Sequence, residues 1–122
     1  MKYILLIHHD EESFGKLTEG ERQQVYSEYR ALREQMKAAG QHVAGDRLYP
    51  TSSARTVRVR DGKQVVTSGP FAETREQLGG YFVVDVDDLD EAIAIAARIP
   101  SARTGTIEVR QVAEAAVPAA TT

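Results

Sequence analysis

Two stretches constrain this 122-residue chain more than any others: Tyr3-Ile-Leu-Leu-Ile7 and Tyr81-Phe-Val-Val-Asp-Val86, apolar on nearly every position. Successive side chains of a strand point to opposite faces, so an apolar run without alternation needs cover on both sides. The fold must therefore supply, or recruit, one layer above these strands and another below. A chain of this length buries roughly two thirds of its unfolded surface. It contains no cysteine, so neither a disulfide framework nor a thiolate zinc site can substitute for packing. That composition fits a reducing cytoplasm.

Helices are the candidate layers. Thr18 and Glu21 make a T-x-x-E capping box, and Val25, Tyr29, Leu32 and Met36 then recur at helical spacing up to Gly40, a residue suited to a left-handed end. Glu28, Arg30, Arg33 and Glu34 lie off that stripe and are read as solvated. Asp88 with Glu91 repeats the capping pattern, followed by an inner stripe of Leu89, Ala92, Ile93, Ala96 and Ile99 before Pro100. His42–Leu48 reads as a weaker strand. Thr56–Arg60 and Lys63–Thr67 flank Asp61-Gly62, a dipeptide suited to a two-residue hairpin turn, with Val57 opposite Val66 on one face and Arg58 and Arg60 on the other. Thr106–Val112 alternates Ile107 and Val109 against Glu108 and Arg110 as a last strand.

The order strand, helix, strand with hairpin, strand, helix, strand predicts an α+β fold of ferredoxin-like split βαβ type carrying an extra β-hairpin. Its helices cover one sheet face. The apolar runs require the other to be covered too, and a second copy of the same sheet is the expected cover, giving a homodimer. The alanine-rich segment 113–122 has no period and is expected to be a flexible tail.

Several classes are excluded. The N-terminal apolar run is too short for a signal-peptide core or a membrane span. A net charge of −3 argues against nucleic acid as a partner. No phosphate-cradling loop, nucleophile elbow or dinucleotide fingerprint occurs. Asp85, Asp87, Asp88 and Asp90 resemble a calcium loop, but its glycine and glutamate positions hold Asp90 and Ala96, so no metal is expected there. These aspartates fit a helix N-terminus instead. His8 and His9 point to opposite faces of a strand and cannot easily share one metal.

The segment Gly69-Pro-Phe-Ala-Glu-Thr-Arg-Glu-Gln-Leu-Gly-Gly-Tyr81, with Val86-Asp-Asp-Leu-Asp-Glu-Ala92 and Ile107-Glu-Val-Arg110, resembles the YCII-related family in its DGPF-domain branch, over about Met1 to Val112. The resemblance implies a dimeric α/β-barrel built on the ferredoxin-like unit at 1–112, in a family of small bacterial proteins mostly without an established activity. It also implies relatives among small isomerases, monooxygenases and dehalogenase-like enzymes, and a functional link of some members to sigma factors. The branch motif begins with aspartate, and Ser68 stands there in this chain. Serine keeps a turn-forming hydrogen bond but is no general base. The His–Asp pair proposed for the YCII branch places histidine on the first helix, which here offers only Tyr26 and Tyr29.

The candidate site residues follow from the same stretch. Ser68, Phe71, Thr74 and Tyr81 are expected ligand-binding residues at the open end of the barrel, and His8 with Glu73 the expected acid–base pair if the protein is an enzyme. The competing reading has Glu73 and Thr74 capping backbone, Phe71 plugging a dimer seam and the histidine hydrogen-bonded as structure. Arg47, Arg55, Arg58 and Arg60 form a basic cluster that either meets an anion or is simply solvated. The leading expectation is a small-molecule-binding or regulatory homodimer without a cofactor. The alternatives are a cofactor-free isomerase or lyase using His8 or His9 with Glu73, and a structural protein-interaction module.

Overall fold

The computed structural model describes residues 1–114. Its elements are β1 (Lys2–His9), α1 (Glu11–Gly15), α2 (Glu19–Ala38), β2 (His42–Arg47), β3 (Arg55–Arg60), β4 (Lys63–Ser68), β5 (Gln77–Asp85), α3 (Leu89–Arg98) and β6 (Thr106–Gln111). Strands β2, β5, β1 and β6 lie in that order, each antiparallel to its neighbours. Helix α2 links β1 to β2 across β5, and α3 links β5 to β6 across β1. Two interleaved split βαβ units result, the ferredoxin-like α+β arrangement expected from the order of elements. Most of the expected segment 113–122 lies outside the described residues.

The two apolar runs become the central strands. Tyr3, Leu5 and Ile7 of β1 and Phe82 and Val84 of β5 face the helices and are buried with Leu32, Met36, Ala92, Ile95, Ala96 and Ile99. Burying one such large side chain contributes about 1.5–3 kcal/mol. Ile4, Leu6 and Val83 alternate onto the opposite sheet face, where no helix lies, and are only half-buried.

Helix starts follow the caps read from sequence. Thr18 accepts from Glu21 N at 3.1 Å while Glu21 accepts from Thr18 N at 2.8 Å, closing the capping box. Asp88 accepts from Glu91 N at 2.8 Å. Helix α2 ends before Gly40, left-handed at φ 71°. The inner stripe of α3 differs from the expected one: Ile95 is 2% exposed, whereas Leu89 and Ile93 are 47% and 48% exposed. Ala92, Ala96 and Ile99 satisfy a 3.6-residue period with either flank, and periodicity alone does not choose between Ile93 and Ile95. Helix α1 has too few residues to show a period. It forms because Asp10 caps it, accepting from Glu12 N at 3.0 Å and Ser13 Oγ at 2.9 Å.

The hairpin has the expected register, Val57 opposite Val66, turning at Asp61 (φ 52°) and Gly62 (φ 72°). It is a separate two-stranded sheet. All of its valines are exposed, from 45% at Val65 to 63% at Val59.

Candidate functional site

Along its first half α2 stands away from the sheet, and only Leu32 and Met36 of its 20 residues are buried. Beneath its middle, from Gln23 to Arg33, opens a cleft of about 820 Å³. Its floor is Ile7 and Phe82 from the central strands. His9, Glu11 and Phe14 close the side where β1 turns into α1, and Tyr26, Tyr29, Arg30 and Arg33 descend from α2. The segment from Asp46 to Pro50 forms the far wall, with Gly79, Gly80 and Tyr81 at its foot.

The Gly79-Gly80 pair lies inside β5. A Cβ on Gly79 would come within 2.5 Å of His9 Nε2, and one on Gly80 within 2.9 Å of the Asp46 carbonyl oxygen. The two positions let the imidazole lie across β5 and the end of β2 close against it. The strand pairing of β1 with β5 shifts register between Ile7 and His8, beside the same spot.

Aromatic rings and guanidinium groups alternate around the cleft. His9 meets Phe14 at 5.4 Å between ring centroids, and Phe14 meets Tyr26 at 6.1 Å. The Arg47 guanidinium lies 4.5 Å from the centre of the Tyr26 ring, within cation–π range. Tyr29 stacks on Phe82 at 6.3 Å, with Arg33 placed 5.8 Å from the same Phe82 ring. The Tyr29 hydroxyl is 2.7 Å from Ser101 Oγ, and burial raises its pKa while that bond pulls it down.

The two acids of the lining are already engaged. Glu11 accepts from Thr51 N at 2.8 Å and Thr51 Oγ1 at 2.7 Å, fastening α1 to the segment after β2. Asp46 accepts from the Tyr81 hydroxyl at 2.9 Å, and this bond, with the carboxylate's charge, raises the Tyr81 pKa. Nearby, at the start of β2, His42 has its pKa lowered by burial first and then by Lys37 and Arg33.

Of His8, Ser68, Phe71, Glu73, Thr74 and Tyr81, Tyr81 alone lines this cleft, joined by His9, the alternative to His8, and Arg47 of the basic cluster. His8 is half-buried on the sheet face without helices, opposite Leu78 and Thr106. Ser68 closes β4 opposite Arg55. Glu73 is exposed in the segment between β4 and β5, and no hydrogen bond joins it to His8 among the described residues. Phe71 is 81% exposed. Thr74 donates its hydroxyl to the Glu76 carbonyl, and its own carbonyl accepts from the Gln77 amide at 2.6 Å. Gln77 in turn accepts from Glu11 N at 3.0 Å, so the segment's end is tied to the cleft wall even though its tip is not.

Arg30 and Arg33 were absent from the site expected from sequence, and His9 entered it only as the alternative to His8. The signal that finds the arginines is the spacing Tyr26–Arg30 and Tyr29–Arg33, two aromatic–guanidinium pairs at i, i+4 on one helical face. Within the basic cluster, Arg47 turns into the cleft. Arg55 and Arg60 instead donate to the neighbouring carbonyls of Ala54 and Val59 at 2.8 and 3.0 Å.

Topology, capping and cleft together define a ferredoxin-like α+β protein with a recess on the helix side of its sheet. The family model of the YCII-related domain matches residues 1–116, and the chain belongs to the YCII-related family. It is also similar to an uncharacterised protein of Rhizobium meliloti strain 1021, 36% identical over 115 residues and covering 93% of each chain. No helix among the described residues is long and apolar enough to cross a membrane.

Proposed function

We propose that this chain is a small-molecule-binding protein acting as a homodimer, with its ligand in the cleft beneath α2. The cleft carries the reading. At about 820 Å³, with an apolar and aromatic floor and a few convergent polar groups, it has the size and lining of a small-molecule site. A reducing cytoplasm is consistent with a chain that holds no cysteine. The test is a ¹H–¹⁵N NMR screen of the protein against mixtures of small polar and aromatic compounds. Saturable shifts gathered at Tyr26, Gly79 and Gly80 are expected; an absence of shifts there across the mixtures overturns the reading.

The reading of a homodimer is supported by apolar surface that the described residues leave partly or wholly uncovered: Ile4, Leu6 and Val83 on the sheet face away from the helices, and Val57, Val59 and Val66 on one face of the hairpin. A lone two-stranded hairpin is marginally stable in water, and a second copy provides it with a packed face. Light scattering on the eluting peak is expected to give twice the chain mass of 13.4 kDa. A monomer at micromolar concentration contradicts this.

A proton-transfer enzyme is the second reading, favoured by one observation. His9 lines the cleft, packed against Phe14 and Gly79, where an imidazole can reach a bound molecule. His9→Gln then removes turnover of a bound compound while leaving its binding intact; unchanged turnover rejects the imidazole's role.

A further inference from the structure

We infer that the cleft beneath α2 selects an anion, and specifically a carboxylate carried on a planar apolar or aromatic body; the inference rests on the small-molecule reading above. Three guanidinium groups, those of Arg30, Arg33 and Arg47, line one recess of a chain whose net charge is −3. Among the described residues none of the three forms an ion pair with an acid. The acids of the lining, Glu11 and Asp46, already accept hydrogen bonds, both Glu11 oxygens from Thr51 and Asp46 Oδ2 from Tyr81. Arg33 goes further: its Nε is buried and has no hydrogen-bond acceptor. A buried N–H donor without a partner is costly, and such groups in folded proteins normally find an acceptor. Solvent does not reach that Nε; what the three guanidinium groups lack is an anionic partner in the cleft, and an oxyanion matches the forked geometry that guanidinium presents.

Two further features narrow the anion. The carboxyl groups of Glu11 and Asp46 line the same cleft, which penalises a doubly charged head more than a singly charged one. The first turn of α2 is no phosphate site for the cleft: none of its residues lines it, it carries Glu19 and Glu21, and the Glu21 N–H is taken by the Thr18 cap. A planar monoanion fits this better than a phosphate. The body is assigned by the rings. Tyr26 beneath Arg47 and the Tyr29–Phe82 stack give flat apolar faces beside the cations, so a ring and its carboxylate are held together.

The test uses the full chain and ¹H–¹⁵N NMR titrations with benzoate, trans-cinnamate and 4-hydroxyphenylacetate, each beside its neutral alcohol counterpart, and with inorganic phosphate alone. The carboxylates are expected to bind at least tenfold more tightly than the alcohols, to shift Tyr26, Gly79 and Gly80, and to weaken several-fold between low and high salt. Arg33→Gln and Arg47→Gln each reduce carboxylate affinity about tenfold or more, while Arg58→Gln on the hairpin leaves it unchanged. Salt dependence of the unaltered protein keeps the test decisive if a variant misfolds. Equal binding of acid and alcohol overturns the anion assignment and leaves the small-molecule reading standing. Tighter binding of phosphate than of any carboxylate overturns the planar body. No shift with any carboxylate overturns the inference, and the mixture screen described above decides the wider reading separately.

Discussion

The two split βαβ units share one sheet and bury it to different depths. In the second unit α3 sets Ala92 and Ala96 against the strands, small residues that let the helix backbone approach, and Ile95 and Ile99 fill the space beside them. In the first unit α2 is twice as long, 20 residues against 10, yet buries only Leu32 and Met36. Its middle turns carry Tyr26, Tyr29, Arg30 and Arg33 into the space above the sheet. Rings with polar tips and long cationic stems cannot interdigitate as alanine and isoleucine do, so the helix stands off and a recess remains. One unit is packed tightly against the sheet and the other leaves a recess.

The largest expected effect probes that contrast directly. Ile95→Ala in α3 should cost about 2–5 kcal/mol in urea unfolding, whereas Val25→Ala in the raised half of α2 should cost less than about 1. Comparable losses would mean that α2 is packed as tightly as α3 and that the cleft is closed in solution. Next, Gly80→Ala brings a Cβ to 2.9 Å from the Asp46 carbonyl oxygen and should cost about 1–3 kcal/mol, with amide shifts spreading along β2. An unperturbed β2 would show that the close approach at the foot of the cleft is not required. Thr18→Ala removes the side chain that caps α2 and should cost about 1 kcal/mol, read from the shift in the urea midpoint. With so little of that half held by the core, exchange protection of its amides should fall more than global stability does.

The smallest effect is one of pH. Because folding lowers the His42 pKa, chiefly through burial, the unfolded chain binds a proton more readily than the folded one. The stability this group contributes is therefore fully present above the ordinary imidazole pKa of about 6.5 and is lost as pH falls through the lower folded value. His42→Gln should flatten the stability curve below that pH. An unchanged slope would assign it to other groups.

Much of this architecture was legible in the residues because it rests on local rules. Capping pairs at Thr18–Glu21 and Asp88–Glu91, the Asp61-Gly62 turn and two unalternating apolar runs specify element starts and the central strands without reference to the rest of the chain. The orientation of α3 was less legible, since Ile93 and Ile95 satisfy the same period and only the sheet decides between them. The cleft was the hardest to read. Its lining joins α2, the end of β2 and the middle of β5, and no local pattern brings Arg33, Arg47 and Gly79 together. The conspicuous segment after the hairpin drew attention to Ser68, Phe71, Glu73 and Thr74, which lie outside the recess. Its last residues, Gly79 to Tyr81, are what reach it. Of the adjacent histidines, strand alternation requires opposite faces, but which one meets the helices depends on the register of β1 against β5.

The recess beneath α2 as a ligand site is tested most directly by a crystal structure of the protein soaked with a library of small fragments, anionic and neutral. The expected density lies between Tyr26, Phe82 and Arg47, with anionic fragments oriented toward Arg33. A recess closed by α2 or filled by side chains of a second copy, with fragments bound elsewhere, would contradict it.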